Sequence, residues 1–184
     1  LFAGKLYIDG KPPPAGLEAG TIILRQADQT FVRRIFPAAD GEFRIRAPKG
    51  AYQVNFVINR GTFPDYASGR EPLISRLELF EDQLADLHYN TVPVRGPIRL
   101  GGQLIEDNLG GDDVQLLLQR TQDESQFVYG FPGGSPYYYL RIPPGEYRMR
   151  FSILQDAIPD VAWGTAPLGY NLPAVSPYVT APAR

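Results

Sequence analysis

His88 is the single histidine of this 184-residue chain, and there is no cysteine. A Ser-His-Asp arrangement would have to be built around that one imidazole, and no Gly-x-Ser-x-Gly turn is present to hold a nucleophile. With no thiolate, a zinc site would rest mostly on carboxylates. No glycine loop of the kind that cradles phosphates occurs either. These absences lead us to expect no catalytic residue, no cofactor and no metal, with His88 an ordinary strand position beside Tyr89. Two groups of carboxylates remain: Glu106 and Asp107 with Asp112 and Asp113, and Glu81 and Asp82 with Asp86. Calcium takes about six to eight oxygen ligands, and Asn108 would add one to the first group. The spacing matches no defined calcium loop, so Asp107, Asp112 and Asp113 read equally as residues of solvated turns. A glycosidase pair is poorly supported, because nothing in the sequence sets two carboxylates across a cleft.

The aromatic residues carry the stronger signal. Tyr137, Tyr139, Trp163, Tyr170 and Tyr178 gather in the second half of the chain. Exposed rings stack on sugars or anchor protein interfaces, whereas strand alternation turns about half of such rings into a core. These five form the candidate interaction surface. Its expected partner is protein, either further copies of the chain or other envelope proteins; carbohydrate is the alternative.

What must position these rings is a set of short strands. Runs rich in β-branched and aromatic residues lie between 19 glycines and 18 prolines that show no regular period, the pattern of an all-β domain. Strands are expected at Lys5 to Ile8, Thr21 to Arg25, Phe31 to Ile35, Glu42 to Arg46, Tyr52 to Ile58, Ser75 to Phe80 and Leu87 to Val94. Phe43 and Ile45 alternate with Arg44 and Arg46, and Tyr52, Val54 and Phe56 with Gln53 and Asn55, so each strand covers a core with one face. Asp9-Gly10, Asp40-Gly41 and Lys49-Gly50 supply turns, Asp40-Gly41 being a good hairpin signal.

The order then repeats. Displaced by 95 residues, 43–73 match 138–168 without a gap, with 12 of the 31 positions identical. The pairs run from Arg46 with Arg141 through Gly50 with Gly145 and Tyr52 with Tyr147 to Leu73 with Leu168. Gly4 to Gly10 is matched with Gly102 to Asp107, and Thr21 to Arg25 with Val114 to Gln119. Two sandwich repeats are therefore expected, at 1–95 and 96–184, joined stiffly near Arg95 to Pro97 with no flexible linker. The second copy has only the proline-bearing Asn171 to Ala183 opposite Ser75 to Asp86. An incomplete sandwich there would expose an unpaired edge open to strand addition, unless Ser176 to Thr180 closes the sheet.

Gly41 to Val54, with its partner Tyr139 to Met149, carries a strand that ends in Pro-x-Gly-x-Tyr and a next strand that begins at the Tyr. In this, and in the opening Gly4 to Pro13, the chain resembles the carboxypeptidase regulatory-like family of transthyretin-like domains. The resemblance covers most of both copies. It implies a seven-stranded Greek-key sandwich, related to immunoglobulin-like folds, that serves as an accessory or surface module. Fold alone does not transfer function. Independently of the family, proline ends the ladder, and the tyrosine packs its ring inward with its hydroxyl at a polar rim. Related adhesin sandwiches form Lys to Asn isopeptide bonds, for which Lys5 and Asn90 would be the pair. The acid such a bond needs is missing from the strand carrying Gln53 and Asn55, and the second copy has no lysine.

Apolar residues make up 43% and charged residues 21%, enough for a core and unlike disorder. Net charge is −2 with both signs scattered, which argues against a nucleic-acid partner. No run of about 18 apolar residues would cross a bilayer as a helix, and Leu1 to Gly4 shows no signal-peptide pattern. Absence of cysteine suits an exported bacterial protein. The expectation is an extracellular or cell-envelope structural and adhesive module, with an accessory role in a larger secreted hydrolase as a further alternative.

Overall fold

Apolar residues at every second position produce strands that each bury one face, and the structure consists of such strands. It is a computed structural model that describes residues 1–97, 99–100, 103–104, 114–130, 137–153, 164–167 and 178–181. The protein is all-β, a fold of β-sandwich units. Its contacts gather into two compact units. The first holds Leu1–Phe63 and Arg70–Asn90; the second holds Pro64–Gly69 and Thr91–Arg184.

The first unit contains β1 (Phe2–Ile8), β2 (Gly20–Gln26), β3 (Val32–Ile35), β4 (Glu42–Ile45), β5 (Gly50–Ile58), most of β6 (Ser68–Leu79), β7 (Gln83–Leu84) and β8 (Leu87–Tyr89). The chain alternates between two sheets in Greek-key fashion. β3 pairs β2, β4 crosses to pair β1, and β5 returns to pair β2 and β6. β7 and β8 complete the sheet of β1 and β4 with parallel pairings. Phe2, Leu6, Phe43, Ile45, Leu87 and Tyr89 from that sheet meet Ile22, Leu24, Tyr52, Val54, Phe56 and Leu77 from the other. Phe56 and Tyr89 touch across the core with ring centres 5.1 Å apart. At about 1.5–3 kcal/mol per buried large apolar side chain, this core supplies the main drive to fold.

The second unit contains β9 (Val92–Pro97), β10 (Arg99–Leu100), β11 (Gln103–Leu104), β12 (Val114–Arg120), β13 (Gln126–Gly130), β14 (Tyr137–Ile142), β15 (Gly145–Ile153), β16 (Gly164–Pro167) and β17 (Tyr178–Ala181). β14 pairs β9, while β12 lies between β13 and β15. Its core joins Leu116, Leu118, Phe127, Tyr147, Met149 and Phe151 to Tyr138, Leu140, Ile142 and Val92.

Strand register repeats from one unit to the next. Phe56 lies opposite Ile22 and Phe151 opposite Leu116; Phe56 also lies opposite Glu71 and Phe151 opposite Ala166. Gly4 faces Phe43 as Gly96 faces Tyr138. Ile8 bridges Lys11 across the Asp9-Gly10 turn as Leu100 pairs Gln103. The counterpart of Gly4 to Lys11 is therefore Gly96 to Gln103, not Gly102 to Asp107. With no gap-free match in this stretch, sequence alone does not separate Gly96 from Gly101 and Gly102 as the counterpart of Gly4. The expected strand Leu87 to Val94 is two strands, β8 ending at Tyr89 and β9 beginning at Val92, and the junction read from the sequence lies inside β9.

Of the turns, Asp9-Gly10 is one as expected, and Asp40-Gly41 is not the hairpin it resembles. Asp9 and Gly10, at φ of 50° and 78°, make the two-residue hairpin, closed by the Ile8 N–H on the Lys11 carbonyl at 2.8 Å. Asp40-Gly41 also has positive φ but leads β4 across to pair β1, so it is a crossover and not a hairpin. A side chain at Gly41 would collide with the Leu6 carbonyl. Finally, the strand partners of β15 are present. Tyr178–Ala181 pairs Arg148 to Gly145 and Gly164–Pro167 pairs Ile153 to Arg150, dividing between two strands the part that β6 plays against β5. β15 thus has its strand partners, whereas among the described residues no strand takes the place beside β9 that β7 and β8 take beside β1.

Candidate interaction surface

β14 reads Tyr-Tyr-Tyr-Leu-Arg-Ile, and the strand's two-residue period sorts it. Tyr138, Leu140 and Ile142 point into the core, whereas Tyr137 is 55% and Tyr139 45% exposed. Antiparallel pairing with β9 sets Tyr137 opposite Pro97, Tyr139 opposite Arg95 and Arg141 opposite Pro93. Two tyrosines, two prolines and an exposed arginine thus share the outer face of one two-stranded ribbon. An open hollow of about 540 Å³ runs along it, lined by Arg95, Gly96, Pro97 and Tyr137 to Tyr139. Beneath the strip Tyr138 lies across Gly96, where an added Cβ would stand 2.6 Å from the phenol oxygen. Burial alone pushes the Tyr138 phenol above its ordinary value.

One end of the strip is braced. Arg141 reaches Thr91, with Nε donating to Oγ1 at 3.0 Å, and its guanidinium lies 5.5 Å from the Tyr66 ring centre. The Asp65 carbonyl accepts from the Arg141 N–H at 2.7 Å, and the Arg141 carbonyl accepts from the Ala67 N–H at 2.9 Å. Pro64–Gly69 is thereby tied to β14. Ser68 and Gly69 pair Val128 and Phe127 of β13, and Gly69 packs so tightly on the Phe127 ring that no side chain fits.

Of the other sequence candidates, Trp163 and Tyr170 lie outside the described residues, as do Glu106, Asp107, Asn108, Asp112 and Asp113. Tyr178 opens β17, opposite Arg148. His88 is exposed on β8 and stacks on Tyr7, with ring centres 5.2 Å apart. Asp86 accepts the Lys5 backbone N–H at 2.9 Å. Among the described residues no group of three His, Asp or Glu side chains is placed to hold a metal. Lys5 Nζ is 3.1 Å from Asp40, which raises the ammonium above its ordinary value by hydrogen bonding and charge. β1 pairs β8 with Leu6 against Leu87 and Ile8 against Tyr89, so Asn90 is not set opposite Lys5.

Sequence reasoning missed Arg95 and Pro97 as part of the strip, because their place depends on the β9–β14 register. It also missed Arg120, which is 6% exposed and donates from Nε to the Tyr147 hydroxyl at 3.1 Å. The guanidinium also lies over the rings of Phe127 and Tyr147. Only its lining up with Gln26 of the first copy could have flagged it.

No family model matches the chain, and no curated protein matches it. Among solved structures it is similar to a DUF3823 family protein from Bacteroides ovatus, at 12% identity over 84% of this chain and 90% of that one, TM-score 0.35. A DUF3823 family protein from Parabacteroides merdae gives 14% identity over 83% and 89%, TM-score 0.35. A proposed carbohydrate binding protein from Bacteroides uniformis gives 11% over 90% and 95%, TM-score 0.34. Likeness this distant carries no ligand and no role to the present chain. No helix among the described residues is long and apolar enough to cross a membrane.

Proposed function

We propose that this chain is a non-catalytic, carboxypeptidase regulatory-like module of an exported bacterial surface or secreted protein, built as two copies, whose role is protein–protein assembly. The observation that carries the reading is the outer face of the β9–β14 ribbon, where Tyr137 and Tyr139 stand exposed beside Arg95 and Pro97. Tyrosine and arginine are enriched at protein interfaces, and charged groups other than arginine are depleted there. A tyrosine side chain can bury on the order of 150–250 Å². Covering the exposed halves of both rings would contribute roughly 5 kcal/mol before ordering costs.

A sugar site also uses aromatic faces but needs placed polar groups to take the hydroxyls. Among the described residues along the hollow, Arg95 is the one charged side chain and no carboxylate or amide side chain lines it. That composition favours protein over carbohydrate.

The test is a photo-crosslinking residue placed at Tyr139 of the full chain, alongside titration calorimetry with a panel of plant and bacterial oligosaccharides. The expected result is a discrete protein adduct in the native envelope and no saturable sugar binding. Saturable sugar binding that disappears in a Tyr137→Ala, Tyr139→Ala variant would establish the carbohydrate reading instead. Hydrolase activity lost in His88→Ala would overturn the non-catalytic assignment.

A further inference from the structure

β3 is an edge strand. It pairs β2 on one side, and among the described residues no strand pairs its other side. The Gln26 N–H donates to the Phe31 carbonyl at 2.8 Å, so antiparallel alternation turns the backbone groups of Arg33 and Ile35 toward β2 and those of Val32 and Arg34 outward. Val32 is 47% exposed and the strand holds no proline; Arg33 and Arg34, also exposed, are the only charged groups on it. Unpaired strand edges are templates for another strand.

The second unit shows what such an edge accepts. Register places β13 in the role of β3: Leu24 faces Arg33 as Leu118 faces Phe127, and Ile23 faces Arg34 as Leu117 faces Val128. The Arg120 N–H donates to the Ser125 carbonyl at 2.8 Å, so the same alternation turns Val128 outward. There Val128 pairs Ser68 and Phe127 pairs Gly69. The donor is the segment Pro-Asp-x-Ala-x-Gly, and the sequence holds it once more, with Pro159, Asp160, Ala162 and Gly164 in place of Pro64, Asp65, Ala67 and Gly69. Gly164 opens β16, whose edge away from β15 pairs no strand among the described residues.

We propose that the outer edge of β3 receives the segment Pro159 to Gly164 that leads to β16 from a second copy of this chain, so that copies join head to tail. The residues that differ between the two edges differ in a matched way. Where Ser68 lies against Val128, this pairing sets Trp163 against Arg34, an indole beside a guanidinium. The glycine that Phe127 requires is kept as Gly164 opposite Arg33. Such a contact joins two different surfaces and does not close on itself, so it extends into a row. The inference rests on the assembly reading above but uses a different surface from the tyrosine strip.

Sedimentation velocity on the full chain, from micromolar to millimolar concentration, tests it with two variants. Arg34→Pro removes an outward N–H and leaves the ladder to β2 intact; Trp163→Ser restores the residue of the first copy. Arg34→Pro is expected to weaken self-association about five- to tenfold, the effect of one lost ladder bond, and Trp163→Ser by a similar factor through the lost indole–guanidinium contact, each with an unchanged far-UV spectrum. Because each variant spoils one side only, mixing the two should restore a capped dimer. A synthetic peptide of residues 159–167 should shift the amide resonances of Val32 to Ile35. A monomeric native chain together with a peptide that leaves β3 unmoved overturns the proposal. So does association that survives Arg34→Pro but is lost in Tyr137→Ser, Tyr139→Ser, a result that would leave the tyrosine strip as the assembly surface. Sugar binding at the strip alongside head-to-tail association would overturn the functional reading and leave this one standing.

Discussion

Both units use the same device where a strand turns back: Tyr52 donates its hydroxyl hydrogen to the Pro48 carbonyl at 2.7 Å and Tyr147 donates to the Pro143 carbonyl at 2.8 Å. Their surroundings differ. The Tyr147 hydroxyl also accepts from Arg120 Nε at 3.1 Å, and the residue in the place of Arg120 in the first copy is Gln26. Replacing either tyrosine by phenylalanine keeps the buried ring and removes the oxygen. Tyr52→Phe loses one neutral bond and should cost about 1 kcal/mol. Tyr147→Phe loses a neutral bond and a charge-assisted one, and leaves an arginine buried without that acceptor, so about 2 to 3 kcal/mol is expected. Arg120 keeps its contact with Asp123 at 3.3 Å, which holds the cost at that level. In an Arg120→Gln background, which imitates the first copy, Tyr147→Phe should fall to the cost of Tyr52→Phe, a coupling of about 1 to 2 kcal/mol. Native-state hydrogen exchange measured separately on the β2–β5 and β12–β15 peptides reads the two units apart. Equal costs for the two substitutions, or a Tyr147→Phe cost indifferent to Arg120, would refute this account of the buried guanidinium.

Gly69→Ala forces a methyl into the Phe127 ring and the Gln126 carbonyl; it should destabilise the second unit by about 1 to 3 kcal/mol, seen as lost exchange protection in β13. Leu116→Ala, at a fully buried position, should cost about 2 to 5 kcal/mol in urea unfolding. Because burial raises the folded Tyr138 phenol, its contribution is fully present below the ordinary phenol value near pH 10 and is lost as pH climbs from there through the folded value. Alkaline titration of stability should therefore fall less steeply in Tyr138→Phe than in wild type. His88→Ala, on an exposed strand position, should leave stability within about 0.5 kcal/mol, measured in the same urea titration.

Much of the fold is a matter of local chemistry and was legible as such. Two-residue alternation marks which side chains are buried in β4, β5 and β14, since a strand offers each residue only two faces. The Pro-x-Gly-x-Tyr turn announces the Tyr52 and Tyr147 corners, and a gap-free repeat over 31 positions announces matching registers. What a strand pairs with is decided by partners far along the chain, and no local pattern carries that information. Asp40-Gly41 has the backbone angles of a hairpin yet sends β4 to β1. Tyr178–Ala181 finds β15 in spite of its proline-bearing surroundings. The same holds for the candidate site. Alternation separates Tyr137 and Tyr139 from Tyr138, but only the β9–β14 register brings Arg95 and Pro97 alongside them, and only packing leaves the β3 edge without a strand among the described residues while Ser68 and Gly69 cover β13.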